Sequence, residues 1–219
     1  TSSHTFQRYV RIGGSGGGNV TFSITGTAFG AAASDLDVLF DVPTNGTQSD
    51  TGAGGEVSGN YATWNPLSGL GTLSNGNLDN SGGSDNNWDS RPGTIGMSSG
   101  KWYFEYTHNG GSAHMLGIAT SQETFSRQDQ YLGSDSQGWG YYNSNGRKYH
   151  NSSDSSYGNS WTTGDVIGVA FDADNGNLYF YKNGTAQNSG TAAYTGLTNG
   201  PYFPVISLYS SGNTGSVNF

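Results

Sequence analysis

Gly164-Asp165-Val166-Ile167-Gly168-Val169-Ala170-Phe171-Asp172 runs through Ala173-Asp174-Asn175-Gly176 into Asn177-Leu178-Tyr179-Phe180-Tyr181-Lys182-Asn183-Gly184. Val166, Gly168 and Ala170 alternate with Ile167, Val169 and Phe171. The first segment therefore reads as a strand apolar on both faces, lying inside a sandwich. In the second, Leu178 and Phe180 alternate with Tyr179 and Tyr181. Asn-Gly suits a turn that needs positive φ, so Asn175-Gly176 is read as the connection between them.

Such a hairpin needs neighbours on both sides, and the flanking sequence offers them. Apolar runs bounded by Gly, Asn and Ser predict strands at 70–73, 94–97, 101–107, 114–120, 138–142, 203–208 and 217–219. Asn-Gly steps recur at 45, 75, 109, 145, 175, 183 and 199. No helical apolar period lasts more than a turn. The chain is read as all-β, a two-sheet sandwich of short antiparallel strands.

Composition narrows the function classes. The 219 residues include 37 Gly, 13% aromatics and no Cys. The absence of Cys excludes disulfides, thiolate catalysis and cysteine-ligated zinc. A net charge of -8 repels phosphate backbones and offers no basic patch to anionic lipid. Neither nucleic-acid binding nor membrane insertion is expected, and no window is apolar enough for a span.

Residues 1–55 read as an N-terminal β extension with a Gly-rich linker. Strands are expected at 9–12, 20–25 and 36–42, with GGSGGG at 13–18. A boundary near Gly55 separates them from the main body, 56–219. The chain opens on Thr1 without a signal-like apolar run, and is read as a piece of a longer polypeptide.

No catalytic, cofactor-binding or metal-binding residue emerges. Asp172-Ala173-Asp174-Asn175-Gly176 has its glycine one position early for an EF-hand, and Asn183 stands where the bidentate glutamate belongs. His4, His108, His114 and His150 show neither HxH nor HExxH spacing. His114 opens an apolar strand and reads as structural, and His150 falls in an expected turn. No acidic pair stands out for glycosidase chemistry, and nucleophile-elbow and phosphate-loop motifs are missing.

Four segments resemble the SPRY family. They are Gly100-Lys101-Trp102-Tyr103-Phe104-Glu105-Tyr106, His114-Met115-Leu116-Gly117-Ile118-Ala119, the opening hairpin, and Tyr202-Phe203-Pro204-Val205-Ile206-Ser207-Leu208 with Val217-Asn218-Phe219. The resemblance implies a bent, concanavalin-like antiparallel β-sandwich that binds rather than catalyses. A second resemblance lies upstream, in Asn60-Tyr61-Ala62-Thr63-Trp64-Asn65-Pro66-Leu67, Thr72-Leu73-Ser74-Asn75-Gly76-Asn77-Leu78 and Arg91-Pro92-Gly93-Thr94-Ile95-Gly96. It is to the lead-in of SPRY domains in bacteriophage structural proteins, and implies a virion tail fibre, head fibre or decoration protein.

On that reading the module sits on the particle surface. It assembles with other virion proteins or copies of itself and contacts a host-surface glycan or protein. The alternatives are a purely structural scaffold module, a cellular SPRY domain that clasps a peptide, and a glycan-degrading lectin-like enzyme. Two polar, aromatic stretches are candidate recognition surfaces. One is 121–138, with Phe125, Arg127, Tyr131 and Asp135; the other is 141–161, with Tyr149. Trp139, Tyr141 and Tyr149 read equally as core fillers. By position, Arg91, Tyr131 and Tyr209 resemble the family's peptide-binding rim, but the neighbouring residues with which the family clasps peptide do not appear.

Overall fold

The computed structural model describes residues 62–69, 71–120 and 130–219. The expected N-terminal strands, the boundary near Gly55, Phe125 and Arg127 lie outside the described residues. Within them the strands are β1 (Leu73–Ser74), β2 (Asp79–Ser81), β3 (Trp88–Pro92), β4 (Lys101–Gly110), β5 (His114–Ala119), β6 (Gly138–Tyr142) and β7 (Arg147–His150). There follow β8 (Ser153–Ser156), β9 (Val166–Asp172), β10 (Asn177–Lys182), β11 (Thr185–Ala186), β12 (Phe203–Tyr209) and β13 (Thr214–Asn218). A seven-stranded sheet is ordered β1-β2-β13-β4-β9-β10-β11, and a six-stranded sheet β3-β12-β5-β6-β7-β8. All pairings between these strands are antiparallel.

The period of two decides which side chains fill the space between the sheets. Ile167, Val169 and Phe171 of β9, Leu178 and Phe180 of β10, and Phe104 and Tyr106 of β4 project from one sheet. Leu116 and Ile118 of β5, Tyr141 of β6, and Ile206 and Leu208 of β12 meet them from the other. Burying each such side chain contributes about 1.5–3 kcal/mol. The hairpin is thus central, with β9 held between β4 and β10. Only one face of β9 lies in the sandwich core, however. Val166 and Ala170 are half-buried on the other face, and Gly168 lies beneath the ring of Tyr103.

Turn chemistry departs from the expectation in instructive places. At Asn175-Gly176 only the glycine has positive φ, at 68°. Two-residue turns with both φ positive occur at Asn183-Gly184 (50° and 75°) and at Asn151-Ser152 (52° and 58°). The second of these joins β7 to β8, so His150 ends a strand rather than lying in a turn. Residues 94–97 form no strand. They bend, and only Met97 exchanges backbone hydrogen bonds with Tyr202, at 2.7 and 3.1 Å. The strand of this region is β3, a few residues earlier, paired along its length with β12.

His114 is fully buried with His108, their ring centroids 3.9 Å apart. Each donates Nε2–H to a carbonyl of the β4–β5 turn, His108 to Gly111 and His114 to Gly110. That tautomer leaves His114 Nδ1 to accept the Tyr106 hydroxyl at 3.1 Å. Burial, reinforced by the neighbouring His108, lowers the His114 pKa to about 3. Burial likewise lowers that of His108.

Candidate functional site

The outer face of the six-stranded sheet carries an aromatic group separate from the main core. Glycines make room for it. Gly117 of β5 and Gly138 and Gly140 of β6 share that face, and a Cβ on any of them would meet Leu132. The distances would be 3.2 Å to Cδ2, 2.9 Å to Cδ1 and 3.3 Å to Cγ respectively, although a Cβ on Gly117 would strike the Trp139 carbonyl first and one on Gly140 the Leu132 carbonyl oxygen, at 2.7 Å. The three glycines form a dimple, and Leu132, with 0% exposure, is the key in it.

Polar contacts pin the segment that bears Leu132. The Leu132 N–H donates to Ser207 Oγ at 3.0 Å, and Ser90 Oγ donates to the Gln130 carbonyl at 2.8 Å. The Ser90 and Ser207 hydroxyls also bond each other. From the β7–β8 turn, Asn151 N–H donates to Asp135 O and Ser152 N–H to Gly133 O, both at 2.9 Å.

Tyr131 is thereby held over the sheet, where Trp88 is the hub. Its ring lies 6.0 Å from Tyr131, 5.9 Å from Tyr142 and 5.7 Å from Tyr209. Tyr149 closes the group, 6.1 Å from Tyr131 and 5.7 Å from Tyr142, both edge-on. β3, β12, β6 and β7 thus each supply one ring and the pinned segment supplies the fifth. Tyr209 is the most open, with 39% exposure, and the other four are half-buried. Burial raises the Tyr142 pKa, so its hydroxyl stays protonated. Arg147 and Asp154 form an exposed ion pair beside Tyr149 on the same face. Edge-to-face rings of this kind offer broad, rigid apolar area with polar tips.

Tyr131, Tyr149 and Tyr209 are therefore brought together. Asp135 stands nearby, but its side chain accepts the Gln137 N–H at 2.8 Å and stabilises the local turn. Arg91 is somewhere else altogether. It points inward with 4% exposure, and its guanidinium donates to the carbonyls of Asn65, Ser68 and Gly71. Burial pushes it below its ordinary pKa, with Asp89 opposing. Arg91 fastens residues 65–69 and Gly71 to the edge of the sheet. Of the ambiguous aromatics, Tyr141 is in the core, Trp139 packs against it and stacks on His150 at 4.8 Å, and Tyr149 faces the other way.

Trp88 and Tyr142 were not singled out from sequence. Asn86-Asn87-Trp88-Asp89-Ser90-Arg91-Pro92 is polar and turn-like, and only pairing with β12 makes it a strand. The lone Trp in that polar stretch was the available signal. Among the described residues no group of three or more His, Asp or Glu side chains is placed to hold a metal ion.

Comparison with known proteins places this geometry among relatives. The family model described as the SPRY domain matches residues 101–219. The E3 ubiquitin-protein ligase RKP of Arabidopsis thaliana is 36% identical over 126 residues, which is 55% of this chain and 9% of that protein. The chain thus spans about a tenth of the length of that relative. The crystal structure of the SPRY domain of human HERC1 superposes with a TM-score of 0.58 at 21% identity, covering 70% of this chain and 96% of that one. The second likeness is one of fold. Neither relative is a bacteriophage protein, and nothing in the comparisons supports the virion setting expected from residues 60–100.

Proposed function

Because this chain belongs to the SPRY domain family, matched over residues 101–219, we propose that it is a non-enzymatic protein-interaction module that clasps a short segment of a partner protein. The observation that carries this reading is the group of five rings around Trp88, anchored by four strands and a pinned connector yet open at Tyr209. Interfaces draw most of their energy from a few Trp, Tyr and Arg anchors on rigid supports. The rings here are already ordered, so a partner's apolar side chain loses affinity only to its own ordering. Likeness to a plant ubiquitin ligase favours a recruiting role, in which the module selects a protein for another part of its polypeptide. The virion reading, with adhesion to host glycan, rests on residues 60–100 alone, and the relatives favour the cellular one.

The test is selection of a displayed random-peptide library on the full chain, followed by calorimetry of the winning peptides. Tyr209→Ala should weaken them by roughly thirtyfold, the cost of about 2 kcal/mol for losing an anchor. Peptides that bind Tyr209→Ala and Trp88→Ala as tightly as the parent would place recognition elsewhere.

A further inference from the structure

A strand at the edge of a sheet offers unpaired N–H and C=O groups to any extended chain that meets it. Three of the four sheet edges here offer little. β1 and β11 are each only two residues long. β3 is flanked by the segment that Arg91 holds: Trp64 bridges Gly93, Asn65 N–H donates to the Pro92 carbonyl at 2.8 Å, and the Arg91 guanidinium takes the Asn65 and Ser68 carbonyls. β8 is the fourth edge. Its four residues, Ser153-Asp154-Ser155-Ser156, are all exposed and contain neither Pro nor Lys to discourage pairing. Among the described residues they pair with β7 alone.

The turn decides which backbone groups of β8 face outward. Around the two-residue turn Asn151-Ser152, His150 and Ser153 form the hydrogen-bonded pair, and such pairs alternate along an antiparallel ladder. Lys148 and Ser155 form the next one. The N–H and C=O of Asp154 and Ser156 therefore point away from β7. Side chains alternate as well: Asp154 and Ser156 share the outer face with Arg147 and Tyr149, and Ser155 lies on the opposite face. Beyond Ser156 the chain leaves the edge, because Tyr157 is buried with its hydroxyl on the Thr191 carbonyl at 3.2 Å.

We propose that β8 pairs with β8 of a second copy of the chain, antiparallel about a two-fold axis at Ser155. One register satisfies face, hydrogen bonding and charge together. A two-fold axis normal to the sheet keeps the outer face outside, so Asp154 must oppose position 152, 154, 156 or 158 of the second copy. Ser152 is in the turn, with its N–H on the Gly133 carbonyl, and Gly158 N–H is on the Gly146 carbonyl, both at 2.9 Å. Asp154 opposite Asp154 would set like charges side by side. What remains is Asp154 opposite Ser156, Ser156 opposite Asp154, and Ser155 facing its own copy. The two outer pairs then exchange hydrogen bonds through the very groups that point outward. Charge closes too. Arg147 lies opposite Ser156, donates to its Oγ at 3.3 Å and pairs with its own Asp154, so it stands in line with Asp154 of the second copy. Two arginines and two aspartates make a neutral patch on chains of net charge -8. The pairing joins the two six-stranded sheets into one and sets two Trp88 groups on a common face, where weak contacts act together. It does not depend on what those groups bind.

The contact is short, below the roughly 1,200 Å² of stable interfaces, so the dissociation constant should lie near 100 µM. Sedimentation velocity of the full chain at rising concentration should show monomer passing to dimer and nothing larger, since two-fold pairing closes. Because the chain has no Cys, Ser155→Cys installs one thiol opposite its own copy. Cα atoms of a non-hydrogen-bonded pair lie about 4.5 Å apart, within disulfide reach. This variant should oxidise to a covalent dimer at least about tenfold faster than Ser153→Cys, whose thiols stand out of register. Ser156→Pro removes an outward N–H, leaves the β7 ladder whole and should abolish the dimer with a melting midpoint within about 2 °C of the parent. Arg147→Gln should weaken the dimer about fivefold, because the two aspartates are left uncompensated on one face. A monomer up to about 1 mM, equal oxidation of the two cysteine variants, or a dimer that survives Ser156→Pro overturns the proposal.

Discussion

Replacing Leu132 by Ala tests whether the aromatic site is built on the glycine dimple. The substitution removes three carbons from a side chain with 0% exposure. At about 0.8 kcal/mol each, the lost transfer free energy is about 2.4 kcal/mol. A cavity term adds to this, but the site is shallow. Leu132 belongs to a small cluster with Met115, Ala119 and Val205 rather than to the main core, and its segment can sink into the dimple. The cost should therefore fall near the low end of measured Leu→Ala values, about 3 kcal/mol. For a domain of this size that lowers the melting midpoint by about 6–12 °C. The assay is thermal unfolding followed by Trp fluorescence, with hydrogen exchange at the Leu132 amide that now donates to Ser207. Gly140→Ala attacks the same segment from below, since the new methyl would lie 2.7 Å from the Leu132 carbonyl oxygen and 3.3 Å from its Cγ. The double variant should be less unstable than the sum of the singles, by about 1 kcal/mol, because each has already loosened the segment. A midpoint within about 1 °C of the parent for Leu132→Ala, or strict additivity, would refute the keyed arrangement.

Three further outcomes follow from burial and charge. Arg91→Met should cost about 2–4 kcal/mol in urea unfolding and expose residues 65–69 to protease, because the carbonyls it serves lose a charged donor; an unchanged cleavage pattern would show that the fastening is unimportant. Val169→Asp places an unpaired charge at 0% exposure in β9 and should cost more than roughly 3 kcal/mol; a soluble variant with the parent's midpoint would contradict the core assignment. His114 has a folded pKa of about 3 against an ordinary 6.5, so the unfolded chain binds the proton first. Its contribution is fully present above about pH 6.5 and is lost as pH falls towards 3, with a slope of up to 1.4 kcal/mol per pH unit that His114→Gln should remove. Stability that rises on acidification through that window would invert the sign and refute the neutral, Tyr106-bonded imidazole.

Much of the fold was legible because its strands announce themselves locally. The runs 138–142, 166–172 and 177–182 were bounded as they occur, since apolar alternation and turn residues are properties of neighbouring positions. Residues 153–156, Ser-Asp-Ser-Ser, were not legible, because all four are exposed and no face repeats. They are strand only through pairing with β7 around a tight turn. Residues 94–97 misled in the opposite sense. Thr94, Ile95 and Met97 have strand-like composition, yet Gly93 packs on Pro204 and Gly96 lies against Phe203 and Pro201, which bends the chain there.

For the candidate site, the sequence by itself marked polar, aromatic stretches on a SPRY-like sandwich and named Tyr131, Tyr149 and Tyr209 among its candidates. Only the tertiary structure decided that Trp88 joins them and Arg91 does not. Adjacent strand positions face opposite ways, and Trp88 and Arg91 differ by an odd number of residues on β3. The register of β3 against β12, Trp88 opposite Tyr209 and Arg91 opposite Ile206, sends the first outward and the second into the interior. That register is set by hydrogen bonds between segments more than a hundred residues apart, and no local pattern of side chains encodes it.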